Sequence, residues 1–430
     1  MWSKSLFLAF LVLFAVNRVH AQPRQQETPI MPSTPILAVI EADGNLAIYD
    51  SKGKNPFRLT TDARPGQRIY QWPTWSTDGR LAFFGANADP ADPYTLRAFV
   101  AEKVHPNAPI QIAYSSKNEV FTYPYWSTGD DCGAGCRTLA LLFTPVQHQG
   151  LGLRLIQDRA GVFTNQVVGY AAPYYYSFSA DGKQMIWVRY TQQIDLYNVA
   201  SNQTTALPDE PGHFNSPMWS PLPNDNRILF GVPSKNNPEL TDVVIADGAS
   251  RRVILPNQQS PVSFAWSPDA RYIASVQNFD RIIITEVATG KQVAQGLPIN
   301  VAAYFWSPTS DKVAYVVVNR SDAPPAARIH VNGKTAAEQA TGGLTLAVID
   351  VQTGNSESLA TFSPTRDYVY MLNFFDQFAH SHRFWSPDGT QITYAALDSK
   401  DQPTIYLVDI TGKDAPVKVT NGTISVWSWK

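Results

Sequence analysis

From residue 36 onward the chain is a succession of short runs in which every second residue is apolar, bounded by clusters of Pro, Gly, Asp and Ser. Such period-two runs predict half-buried strands rather than helices. Clear cases are RIIITEV (281–287), KVAYVVV (312–318) and TIYLVDI (404–410). The runs themselves recur in a larger unit. PTWSTDGRLAFFG (73–85) returns as FAWSPDARYIASV (264–276) and RFWSPDGTQITYA (383–395), with looser copies elsewhere. Each copy reads as a strand ending in an aromatic anchor, a tight turn and a second alternating strand. Anchors stand at Trp75, Trp126, Phe178, Trp219, Trp266, Trp306 and Trp385, and TISVWSWK at the end supplies Trp427.

The turn chemistry is explicit in Trp385 to Gly389. Pro presets φ at the second position, Asp accepts local backbone bonds and Gly takes positive φ. A third and a weaker fourth strand follow, joined by a turn such as ATGK (288–291) or ITGK (410–413). Four antiparallel strands per repeat of roughly 40 to 50 residues is the pattern of a propeller blade.

The predicted fold is therefore an all-β propeller of four-stranded antiparallel blades. The mature N-terminal region, ILAVIEADGNLAIYDSKGKNPFRLT (36–60), holds the later strands of a blade, whereas TISVWSWK holds only an opening strand. Pairing the C-terminal strand with the N-terminal strands would close the ring and cover its edges. Seven internal anchors plus this composite predict eight blades, with seven as the alternative. The long interval between Trp306 and Trp385 reads as one blade carrying an insertion at 319–343.

The W-S-P-D-G turn, best kept at Trp266 to Asp269 and Trp385 to Gly389, resembles the repeat of the TolB-like propellers, exported relatives of the WD-repeat proteins. The likeness covers about 36 to 430, without the additional N-terminal α/β domain of TolB itself. It implies an exported, non-enzymatic binding or scaffolding propeller. Because the shared residues build turns and blade packing, it carries over no ligand site.

Residues 1–21 have Lys4, an apolar run from Leu6 to Val16 and a polar segment ending in Ala21, the three parts of a secretory signal peptide. A Pro/Gln-rich lead (22–35) would follow, then a single propeller domain over 36–430. The expected location is periplasmic or extracellular, in the cell envelope or outside it, and no later segment is apolar enough to predict a membrane helix. Loss of Lys4 and Arg18 would leave 32 of the 34 basic residues against 36 acidic ones. Without a concentrated basic face, nucleic acid is not an expected partner. Three N-x-S/T sequons, at Asn202, Asn319 and Asn421, would matter only in a eukaryotic secretory route and are read as chance.

Catalytic and cofactor signatures are missing: no G-x-S-x-G elbow, H-E-x-x-H, phosphate loop or dinucleotide fingerprint occurs. No cofactor and no metal is expected. The acidic stretches 88–93 and 223–227 lack calcium-loop spacing, and the close pair His380 and His382 would need a third and a fourth ligand, for which Asp376 and His213 are the candidates. The expected function is a protein- or ligand-binding scaffold whose partner is another envelope or extracellular protein, or a glycan. The alternative is a glycan lyase or hydrolase with an active site at the channel mouth, for which Asp376, Glu119 and Asp62 are candidate carboxylates.

The residues just before each anchor link one blade to the next and should ring one mouth of the channel. Tyr70 and Trp72 precede the first anchor, Phe121 and Tyr123 the second, Tyr174 and Tyr175 the third. His213 and Phe214 precede Trp219, and Phe378, His380 and His382 precede Trp385. Aromatic rings with polar tips give large contact area at low entropic cost, so this mouth is the expected binding surface.

The only two cysteines, Cys132 and Cys136, interrupt an enlarged first hairpin turn at the opposite end of the blade. A zinc site would need nearby histidines and a redox dithiol a helix, and the stretch offers neither. Export and the flexible Gly133 and Gly135 favour a disulfide staple.

Overall fold

The computed structural model describes residues 35–64, 70–86, 91–92, 94–147, 149–172, 174–296, 300–319 and 343–430. Residues 1–34, with the expected signal and lead, and 320–342, most of the expected insertion, lie outside that set. The strands on either side of the insertion pair directly, Val318 opposite Leu344.

The alternating runs form antiparallel sheets arranged as a propeller. Six sheets have four strands each, added in chain order from the anchor strand outward. In the Trp126 blade, Glu119–Trp126 pairs with Cys136–Pro145, then Leu151–Arg159, then Val162–Ala171. The burial pattern follows the layering: Cys136–Pro145 is buried at all but one position, while Val162–Ala171 is buried only at its last. A central strand is covered on both faces and an outer strand on one, as the sequence patterns require.

The seventh sheet has six strands, in the order Gln391–Leu397, Pro403–Asp409, Val417–Trp427, Ile36–Glu41, Leu46–Asp50 and Phe57–Arg58. One long strand joins its two halves. The first half of Val417–Trp427 pairs with Pro403–Asp409, Leu407 lying opposite Val417. The second half pairs with Ile36–Glu41, Leu37 lying opposite Trp427. The expected closure of C-terminal onto N-terminal strands is therefore present.

The expected eight separate blades are not. Counted as hydrogen-bonded sheets the propeller is seven-bladed, because the Trp385 unit and the composite terminal unit share the unbroken strand Val417–Trp427. Eight anchors thus sit on seven sheets, the seventh being double. Elsewhere the chain leaves the sheet between the outer strand of one blade and the inner strand of the next; here it stays extended.

The anchor turns form as their residues dictate. Ser386 Oγ donates to Asp388 Oδ1 at 2.5 Å, Asp388 Oδ1 accepts from the Thr390 amide at 3.1 Å, and Gly389 holds φ +71°. The Trp266 copy keeps the Ser267–Asp269 bond at 2.6 Å but places Ala270 at φ +53°, where Gly would be unstrained. Indole N–H groups then stitch neighbouring units together. Trp306 donates to the Ala265 carbonyl at 3.1 Å, Trp385 to Phe305 at 2.9 Å, and Trp75 across the closure to Val426 at 3.4 Å.

One stretch departs from the strand reading. Residues 366–378 form two short helices, α1 (Arg366–Asn373) and α2 (Phe375–Phe378). Thr365 caps α1, its hydroxyl accepting from the Tyr368 amide at 3.3 Å, and Tyr368, Met371 and Leu372 form the buried face. The link before Trp385 is thus helical rather than a strand-to-strand connection.

Candidate functional site

The helical link fills the mouth at which the sequence placed its binding surface. Phe378 packs on Trp72, Tyr123 and His382 at ring separations of 5.1, 4.9 and 4.8 Å. Gln377 is pinned across the channel: its side chain accepts from the Tyr176 amide and donates to the Tyr176 carbonyl, both at 2.9 Å. Tyr123 Oη donates to the Gln377 carbonyl at 2.7 Å. Side chain and backbone of one residue are thereby fixed to two inner strands, so residues 366–382 act as a plug.

The predicted mouth residues divide into two sets. Trp72, Tyr123, Phe378, His380 and His382 are brought together around the plug. Tyr70 instead packs between Phe83 and Phe99, with Oη donating to Asp62 at 2.7 Å. Phe121 lies against Phe84 and Tyr114, Tyr174 against Trp187, and Phe214 against Phe264. Tyr175 is half-buried and His213 is exposed, its backbone N–H donating to Thr241 Oγ1 at 2.9 Å.

The three candidate carboxylates are engaged separately. Glu119 pairs with Arg154 at 2.6 Å, Asp62 takes the Tyr70 hydroxyl, and Asp376 is buried within the plug. Burial pushes the Asp376 carboxyl up to about 6, partly offset by hydrogen bonds from Asn215 and nearby backbone amides. Among the described residues no three His, Cys, Asp or Glu side chains gather as a metal site would need.

At the other end of the inner strands, where the anchor turns lie, the channel is a partly enclosed cavity of about 400 Å³. Its wall is built from the repeats themselves: Phe178, Trp219, Trp266, Trp306 and Trp385 each contribute from a different unit. His380 and His382 form its floor, so the plug that closes one end shapes the other. Burial lowers His380 to about 4 and His382 to about 3, which leaves both rings neutral at pH 7. His380 Nε2 and Ser216 Oγ lie 3.2 Å apart, and His382 Nδ1 lies 2.7 Å from Ser381 Oγ.

Arg383, also on the cavity wall, lies with its guanidinium carbon 4.1 Å from the centre of the Trp429 ring. That ring is held by its own N–H, which donates to the Trp75 carbonyl at 2.9 Å. Reasoning from the sequence missed this end because it assigned the ring of anchors wholly to packing. A signal was available: two residues before the seven internal anchors stand Pro73, Pro124, Tyr176, Pro217, Phe264, Tyr304 and Arg383, a single charge among them.

The staple is also on the turn side. Cys132 and Cys136 form a disulfide with Cα atoms 5.1 Å apart. Arg159 and Arg80 clamp the same loop, donating to the carbonyls of Cys132 at 2.6 Å and Gly135 at 2.7 Å.

The fold and this channel define a β-propeller similar in structure to TolB, WD40 and oligogalacturonate lyase propellers. No protein-family model and no curated protein matches the sequence. Among solved structures, TolB from Acinetobacter baumannii is 14% identical, covering 89% of this chain and 78% of its own, with a TM-score of 0.40. An oligogalacturonate lyase in complex with manganese is 15% identical over 89% of this chain and 95% of its own, at 0.49. The C-terminal WD40 domain of Sif2 is 13% identical over 79% and 81%, also at 0.49. These likenesses concern the architecture alone.

Proposed function

We propose that the protein is an exported, non-enzymatic binding propeller that receives its ligand in the turn-end cavity of the central channel. One observation carries the reading: a cavity of about 400 Å³ walled by aromatic anchors from five units, at the end the plug leaves open. That volume lies within the usual range for small-molecule sites, roughly 300 to 1,000 Å³, and such sites are mostly apolar with a few polar groups that fix orientation. The opposite mouth, filled by Phe378 and Gln377, offers its aromatics to the chain itself. Secretion belongs to the same proposal and rests on the pattern of residues 1–21. Protein recovered from the cell exterior or periplasm should begin at Gln22, and retention of residues 1–21 in cytosolic protein would refute export.

The cavity is tested by titrating the full chain with a neutral aromatic probe, 3-phenylpropanamide, following tryptophan fluorescence. Saturable quenching that Trp306→Ala weakens severalfold is the expected result. A linear, non-saturating response equal in wild type and variant would overturn the reading.

A further inference from the structure

The three buried arginines among the described residues, Arg80, Arg137 and Arg154, each face a carboxylate. Arg80 faces Asp158 and Asp78, Arg137 faces Asp78 at 2.8 Å and Arg154 faces Glu119 at 2.6 Å, and the half-buried Arg189 likewise faces Asp195 at 2.6 Å. Each charge withdrawn from water meets an opposite one, because a lone buried charge is costly. Arg383, half-buried at the cavity, departs from this pattern. Among the described residues it joins no ion pair, and no Asp or Glu lines the cavity it faces. Burial alone acts on it, lowering it to about 10, so it remains a cation at pH 7. With His380 and His382 neutral, the cavity holds one uncompensated positive charge.

The cation is also held in place. The Arg383 carbonyl accepts from the Trp427 amide at 2.9 Å, and its guanidinium lies over Trp429, itself fixed to the Trp75 carbonyl. A guanidinium stacked on an aromatic face keeps its N–H edges for a planar acceptor, and the acceptor that matches two parallel N–H groups in one plane is a carboxylate. Resting on the reading of the cavity as a binding site, we infer that Arg383 anchors the carboxylate of a small organic acid whose flat apolar body lies among Trp219, Trp266 and Trp306.

The indoles divide accordingly. Trp306, Trp385 and Trp75 spend their N–H groups on the neighbouring unit, whereas those of Trp219 and Trp266 are buried without a partner.

The test is calorimetric titration of the full chain with benzoate, 3-phenylpropanoate and indole-3-acetate, each against its neutral amide. At least one acid should bind, and bind about tenfold or more tighter than its amide, the loss expected when a charged hydrogen-bond partner is removed. Arg383→Met should abolish that preference while leaving amide binding in place, and Arg383→Lys should keep part of it. An unchanged or raised Tm for Arg383→Met in the absence of ligand would show that the cation serves the ligand rather than the fold; a large fall in Tm would overturn the assignment. Equal binding of acid and amide overturns the role of Arg383 and spares the cavity. Failure of every acid and amide overturns both. A short peptide acid that binds where every free monocarboxylate fails would overturn the small-molecule assignment.

Discussion

The two ends of the channel are built from the same repeat and have opposite characters. At the strand-start end, Trp72, Tyr123 and Phe378 meet ring to ring and Gln377 bonds to Tyr176 on both sides of its amide. At the turn end, the anchors line a cavity whose single charge has no ion-pair partner among the described residues. Both are aromatic, so composition does not distinguish them. What does is whether the chain fills the end itself: residues 366–382 occupy the first and leave a cavity at the second.

The largest test of this contrast is truncation of the plug. Phe378→Ala should cost about 3–5 kcal/mol in chemical denaturation, the range for a buried aromatic. A cost below about 1 kcal/mol would mean that the plug is loosely seated and the two ends are less different than described.

Acid should loosen the plug next. His380 and His382, folded near 4 and 3, must charge in the unfolded chain near 6.5, so stability is full above that value and declines as pH falls from about 6.5 through 4. Asp376 acts in the opposite sense: with its folded value raised to about 6, stability is lost as pH rises from about 4 to 6. Asp376→Asn should therefore be more stable than the wild type at pH 7, by up to about 3 kcal/mol, and more steeply destabilised by acid. Thermal melts of both proteins from pH 4 to pH 7.5 check this: parallel curves would contradict the burial of Asp376, and an Asp376→Asn stability that does not fall with acid would contradict that of the two histidines.

Two smaller effects belong to the turn end. Replacing Cys132 and Cys136 with Ser should cost about 2 kcal/mol by releasing a short loop, without altering ligand affinity. Ala270→Gly should relieve the positive φ of the Trp266 turn and stabilise by up to about 1 kcal/mol, part of the gain going to the freer unfolded chain. A change in affinity from either would join the turns to the site and blur the separation between scaffold and cavity.

Much of the fold was legible because turn chemistry repeats. Ser follows every anchor, and with the Asp and Gly that come after it at Trp75, Phe178 and Trp385 it can form few other structures, and the unmatched strands at the two ends of the domain had one way to complete a blade. The blade count was not legible, since nothing in VKVTNGTISVW reveals that an outer and an inner strand run on without a break. The helical plug hid for a different reason. Aromatic residues have high strand propensity, and YVYMLNFF reads as a strand on composition. Its cap and period gave the opposite signal: Thr365 and Asp367 at a helix start, with Tyr368, Met371 and Leu372 at helical spacing. The turn-end cavity was not legible because the anchors read as packing residues, and the charge at Arg383 was the one signal that pointed to it.

The most direct measurement is a crystal structure of the protein soaked with the acid that binds most tightly. The expected result is electron density between Trp266 and Trp306 with a carboxylate within hydrogen-bonding distance of Arg383, the plug unmoved. Density at the opposite mouth, with residues 366–382 displaced from Tyr123 and Tyr176, would contradict it.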